Sequence, residues 1–154
     1  MNIEKLLDIS AKNQRIFRAI LLKTPKAQLL EIPQGFRNNI WWNIVHALVT
    51  QQLLIYVRSG QDPIIPRELI ENFRKGTVPS GDASDNEIEQ LCSLLESTAG
   101  NTLEDYNKGI FASYEEFTTS SRVVVSNVED AIAFNAFHEG LHLGTVLSLQ
   151  KAMS

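Results

Sequence analysis

The sequence of 154 residues contains one cysteine, Cys92, three histidines and five prolines, and it has no block of like charge. A lone cysteine excludes an intramolecular disulfide and a thiolate-rich zinc site, and it suits a reducing compartment, so the cytoplasm is the expected location. Basic residues are outnumbered, 14 Lys and Arg against 18 Asp and Glu, for a formal charge of -4. That balance argues against a basic stripe for nucleic acid, and no nucleic-acid partner is expected. The opening "MNIEKLLDISAKNQRIFRAILLK" has charges among its apolar positions and so lacks the uninterrupted apolar core of a secretory signal. The most apolar stretch, Ile40 to Val57, is interrupted by Asn43, His46, Thr50, Gln51 and Gln52. A membrane span needs about 20 predominantly apolar residues. A buried core helix is the better reading, with no membrane partner expected.

What remains is a chain of the usual size for one domain, expected to cover residues 1–154. Its periodicity is helical. Ile3, Leu6, Leu7, Ile9, Ile16, Phe17, Ile20 and Leu21 recur at threes and fours, with a slip near Ile9, predicting a helix over about 3–22. Pro25, Pro33 and Gly35 then stop regular structure. A second helix is predicted from Phe36 or Asn38 to Arg58, because the apolar run is more than twice a strand's usual length. The stretch "SGQDPIIPRELIENFRKGTVPSGD" reads as a long crossover with one short helix over Pro66 to Arg74. Ser84 and Glu87 match a capping box opening a third helix that runs to about Lys108, with Gly100 as a weak point. "IFASYEEFTTSSRVVVSNVED" reads as extended, and Ser126 with Glu129 suggests a second capping box before a helix to about Met153. Four long helices without a convincing sheet predict an all-α four-helix bundle with long crossover connections.

The last helix contains His138-Glu139-Gly140-Leu141-His142, an H-E-x-x-H pattern. Positions i and i+4 lie about 40° apart on a helix, so both imidazoles project to one side with room for one ion. A catalytic zinc commonly takes three protein ligands. The extended peptidase pattern would put Gly at 145 and His at 148, where this chain has Thr145 and Ser148, and Leu143 to Ser154 offers no Asp, Glu or His. Any third ligand must lie upstream, and the only other histidine is His46, inside the most apolar helix. If the second and fourth helices face each other, His46, His138 and His142 converge on a metal. Spacing alone leaves a second reading open, in which the histidines are hydrogen-bonded core residues. A di-iron carboxylate bundle fits less well, since Glu139 to His142 is the only Glu-x-x-His match.

"NNIWWNIVHALVTQQLLIYVRSG" together with "SNVEDAIAFNAFHEGLHLGTVLSLQKAMS" resembles the DinB-like metal-binding four-helix bundles, which have one histidine in the second helix and an H-x-x-x-H pair in the fourth. The resemblance implies a divalent metal (zinc, nickel or iron) held by His46, His138 and His142. It also implies relatives that include bacillithiol and related thiol S-transferases, a mycothiol-dependent isomerase and metal-dependent hydrolases, and it implies frequent homodimers.

Two chemistries follow for a metal with open positions: activating a water for hydrolysis, or presenting a low-molecular-weight thiol as thiolate to a small-molecule electrophile. Glu139 is the general-base candidate by its place in H-E-x-x-H, yet it lies about 80° from the midline of the two histidines. Pairing with a cation, or orienting His46, serves equally as its role. Asn43, Thr50, Asn135 and Thr145 are candidates for hydrogen bonds around the site or for pocket lining. Trp41, Trp42, Tyr56, Phe134 and Phe137 are expected in the core or a dimer contact. Cys92, among Leu91, Leu94 and Leu95, reads as a small core residue. Arg58, Arg67, Arg74 and Lys75 form a loose basic group near the crossover. The readings that compete with an enzyme are a metal-retaining binding or regulatory bundle and a helical dimer with metal-free buried histidines.

Overall fold

The computed structural model describes all residues, 1–154. It has six α-helices, α1 (Ile3–Lys23), α2 (Lys26–Leu30), α3 (Ile40–Ile55), α4 (Arg67–Phe73), α5 (Asp85–Asn107) and α6 (Val128–Ala152), with two short strands, β1 (Phe117–Thr118) and β2 (Val124–Val125), between α5 and α6. The four long helices form the expected all-α bundle: α1 packs on α5 and α6, and α3 packs on α6. The two helices that carry the histidines are therefore direct neighbours.

Each long helix starts where a side chain satisfies a free backbone N–H, a contact worth about 1 kcal/mol. Asn2 accepts from Lys5, Asn39 from Trp42 and Asn127 from Asp130, while Ser84 and Glu87 form the full capping box. The expected cap at Ser126 is thus displaced by one residue. Asn127 takes the role, and the Ser126 hydroxyl instead donates to Glu116 at 2.7 Å. Helix α2 falls in a stretch expected to be irregular; it starts directly after Pro25, a residue that removes only an N–H left free at a helix start.

Helix α3 forms the centre of the core, with Ile40, Ile44, Val45, Val49 and Ile55 fully buried. The segment Ile40–Ser59 is long and apolar enough to cross a membrane, but 83% of its apolar window is buried inside the protein, as in a core helix. The slip near Ile9 also has a cause. Ile9 is 40% exposed while the neighbouring Ser10 is buried, because the hydroxyl of Ser10 donates to Glu139 at 2.7 Å.

The extended segment pairs with itself: Phe117 faces Val125 and Thr118 faces Val124 in an antiparallel hairpin. Val125 anchors that hairpin in the cluster that also holds Ile55, Tyr56 and Ile132. The hairpin is thereby fixed beside the C-terminal half of α3.

Candidate metal centre

His46 on α3 and His138 and His142 on α6 bring ring nitrogens within 4.8 Å of one another. The two Nε2 atoms of His138 and His142 are 3.2 Å apart. Two nitrogens each about 2.0–2.1 Å from one tetrahedral zinc stand roughly 3.3 Å apart, so this spacing fits a shared ion.

Neighbouring groups fix which nitrogens face inward. His46 Nδ1 lies 2.6 Å from the carbonyl oxygen of Phe73, and His142 Nδ1 lies 2.8 Å from Asn43 Oδ1. Both partners only accept, so each Nδ1 carries the proton and each Nε2 keeps a free lone pair. His138 has no comparable partner: its Nδ1 is buried and unbonded. If His138 donates to His142 from Nε2, its Nδ1 is a stranded acceptor; if it is protonated at Nδ1, two lone pairs face each other. Either arrangement leaves a buried polar group unsatisfied at a cost of about 1–3 kcal/mol. A cation between the rings removes that conflict, so the three residues fit a metal.

Packing holds the rings in place. The indole of Trp42 stacks on His46, with centroids 4.4 Å apart and planes 10° from parallel, and Trp42 Nε1 donates to Thr77 Oγ1 at 3.0 Å. Thr50 Oγ1 reaches His46 Nε2 at 3.4 Å. The turn Arg74–Thr77 brings the crossover back over α3. Thr77 N donates to Arg74 O at 3.2 Å, and Gly76 takes a φ of 94°, a region that side chains with a Cβ rarely adopt. Gly76→Val should destabilise the protein by about 1–2 kcal/mol and weaken metal binding together, since the same turn holds Phe73 against His46. Thermal melting and metal titration of the variant check this; unchanged metal affinity would separate the turn from the site.

Burial pushes all three imidazoles toward the neutral form. His138 falls to about 4 and His142 to about 3, each first through desolvation and then through the neighbouring rings, and His46 is also lowered by burial. Neutral imidazole is the form that ligates a metal. A folded-state pKa below the unfolded value contributes stability that is complete above about 6.5 and lost as pH falls through the folded value. Metal-free protein should therefore lose stability progressively from pH 6.5 toward 4. A variant with all three histidines changed to Gln should show a weaker acid dependence in the same window, measured by calorimetry.

Glu139 does not reach the histidine cluster. It is 1% exposed, and its carboxylate accepts from Ser10 at 2.7 Å, Asn13 at 3.2 Å, Gln14 at 3.3 Å and Asn135 at 3.1 Å. It pairs with no cation, and the acceptor that orients His46 is the Phe73 carbonyl. Desolvation raises its pKa against the four donors, which all act to lower it.

Of the other expected residues, Asn43 and Thr50 contact the histidines, Asn135 serves Glu139, and Thr145 donates to Leu141 of its own helix. Trp41 and Tyr56 are core residues, whereas Phe137 is 52% exposed. Cys92 is buried, and desolvation raises its pKa, in keeping with a core residue. A cavity of about 320 Å³ opens beside the cluster. It is lined by His46, Thr50, Leu54, Lys75, Phe117 to Ser120, Phe134 and His138.

A profile of the DinB superfamily matches residues 11–146, a span that includes all three histidines, the whole of α3 and α5, and most of α1 and α6. The chain belongs to the DinB superfamily. No curated protein matches it. In this DinB-superfamily chain the sequence did not point to the Phe73 carbonyl, because backbone groups leave no residue-type signal. Nor did it single out the hairpin, which reaches the cavity only through the tertiary fold.

Proposed function

We propose that His46, His138 and His142 hold one divalent metal, zinc, nickel or iron, and that the protein is a metal-dependent enzyme of the thiol S-transferase or hydrolase type. The observation that carries this is the convergence of three neutral imidazoles, two with their outer nitrogens already engaged, beside an open cavity. Bound there, the metal would supply Lewis acidity and lower the pKa of a coordinated thiol or water.

The chain's own residues divide the remaining work. Phe73 and Asn43 orient two of the rings, and Trp42 covers His46. Leu54, Phe117 and Phe134 give the cavity apolar walls that limit water. No Asp or Glu lines it, so no carboxylate stands ready to take a proton from water. Thiol transfer to an electrophile needs no further proton carrier once the thiol is held as thiolate, whereas hydrolysis ordinarily also needs a group that protonates the leaving group, so the lining favours transfer over hydrolysis. The same lack of a base supports a second reading, a metal-binding bundle with a binding or regulatory role.

Elemental analysis of protein purified without a histidine tag should find about one divalent metal per chain, and a screen of low-molecular-weight thiols against electrophiles should find turnover. Absence of bound metal, with a melting temperature indifferent to added metal, sinks the proposal; metal without turnover selects the second reading. We also propose a homodimer through the outer face of α6, where Phe137, Leu141 and Leu147 are each about half exposed. Light scattering should give twice the chain mass, and Leu141→Glu should restore the monomer.

A further inference from the structure

Ten residues line the cavity beside the histidines, and Lys75 is the only one with a formal charge at neutral pH. We propose that this cavity selects small molecules that combine an apolar body with an anionic group, and that Lys75 is the residue that binds the anion. The inference rests on the cavity being the substrate site, and it adds the chemical class of the substrate.

The backbone places Lys75 for this role. It follows Phe73, whose carbonyl is fixed on His46, and precedes Gly76, whose positive φ turns the chain back toward Trp42. The anchored turn thus holds the lysine at the cavity, although its long side chain remains exposed. Of the other cations of the crossover, Arg74 makes no ion pair but does not line the cavity, and two are engaged elsewhere. Arg67 pairs with Asp62 at 2.6 Å, and Arg58 pairs with Glu115 at 3.1 Å while lying 4.4 Å over the Phe117 ring. Lys75 takes part in none of the ion pairs.

The remaining lining matches a ligand of mixed character. Leu54, Phe117 and Phe134 present apolar surface. The hydroxyl of Thr119 is occupied by Ser121 and by the backbone N–H of Val123, whereas those of Thr118 and Ser120 have no partner in the protein and are free to donate to an anion. No carboxylate lines the cavity to repel one. The chain as a whole carries a charge of -4, so anions gain no general attraction from its field, and any preference for them must be local. Because Lys75 is exposed, the preference is modest, about twofold to fivefold, and falls with added salt.

The test uses cobalt-loaded wild type, Lys75→Ala and Lys75→Glu with two probes that share a metal-binding head. Succinomonohydroxamate carries a carboxylate, and butyrohydroxamate does not. Visible absorption of the cobalt reports both affinities. Wild type should prefer the carboxylate probe by about twofold to fivefold at low salt, Lys75→Ala should bring the ratio to about one, and Lys75→Glu should reverse it. Butyrohydroxamate should bind all three proteins within about twofold, with equal cobalt content, which separates Lys75 from the metal itself. A preference that survives in Lys75→Ala, or no preference in wild type, overturns the proposal. If wild type takes up no cobalt, the metal reading fails separately, and Lys75 is judged on metal-free protein with 4-phenylbutanoate against 4-phenylbutanamide. Chemical shifts of Phe117 and Phe134 then give the affinities, with the same ratios expected and the same results overturning the inference.

Discussion

Replacing His142 by alanine is expected to lower metal affinity by at least about 100-fold and to abolish any thiol-transfer turnover while leaving the bundle folded. His142 is only partly buried and its loss opens no apolar core. Besides the facing Nε2 of His138, its partner is Asn43, so truncation leaves one amide oxygen unpaired, at a cost of about 1–3 kcal/mol. Asn43→Ala tests the same geometry from the other side. It keeps all three ligands but frees the His142 ring to turn, and should weaken metal binding about 10- to 100-fold. Mass spectrometry under native conditions and competition with a chelator give both numbers. His142→Ala protein that retained stoichiometric metal would show that His142 is no ligand.

Replacing Glu139 by alanine should produce the larger loss of stability, about 3–5 kcal/mol from several stranded donors at about 1–3 kcal/mol each, with metal affinity of the folded protein unchanged. The carboxylate is the common acceptor for Ser10, Asn13, Gln14 and Asn135, and its removal strands donors from two helices in the interior. Glu139→Gln keeps the shape and one good acceptor and should cost less. Glu139 and the buried histidines also predict opposite responses to pH. A carboxyl group whose folded pKa is raised favours folding below the unfolded value of about 4.3, and that contribution is lost as pH rises through the folded value. Wild type should therefore lose stability relative to Glu139→Gln as pH climbs from about 4.3, a trend of opposite sign to that of the buried histidines. Denaturant melts of metal-free wild type and Glu139→Gln isolate the effect by difference, because the histidine contribution is common to both. A weaker metal site in Glu139→Ala protein that is still folded would instead tie the carboxylate to the metal.

The bundle was legible because it depends on features that sequence displays directly. Three-and-four spacing in α1, the length of the apolar run in α3 and the capping box at Ser84 each have a local physical cause. The meeting of His46 with the α6 pair followed from the histidine inventory together with the need for α3 and α6 to be adjacent, and those helices are adjacent. Glu139 was harder to place. The helical wheel sets it about 80° from the midline of the two histidines, but the rotation of α6 within the bundle decides whether that position faces metal or α1, and rotation is a property of packing. The one-residue shift from Ser126 to Asn127 has a similar origin: two adjacent residues can each cap a helix, and the pairing of Ser126 with Glu116 across the hairpin resolves the choice.

The crossover between α3 and α5 has a consequence for how the chain can change in length. Surface connections ordinarily absorb insertions freely. This one is pinned at Phe73 by His46 and at Thr77 by Trp42. Extra residues can be accommodated after Val78, whereas before Arg67 Gln52 holds Ile64 and Ile65 is buried, and between the pins even one added residue would move the carbonyl off the imidazole. The connection therefore behaves as two loops joined by a rigid bracket, and that bracket belongs to the metal centre as much as the helices do.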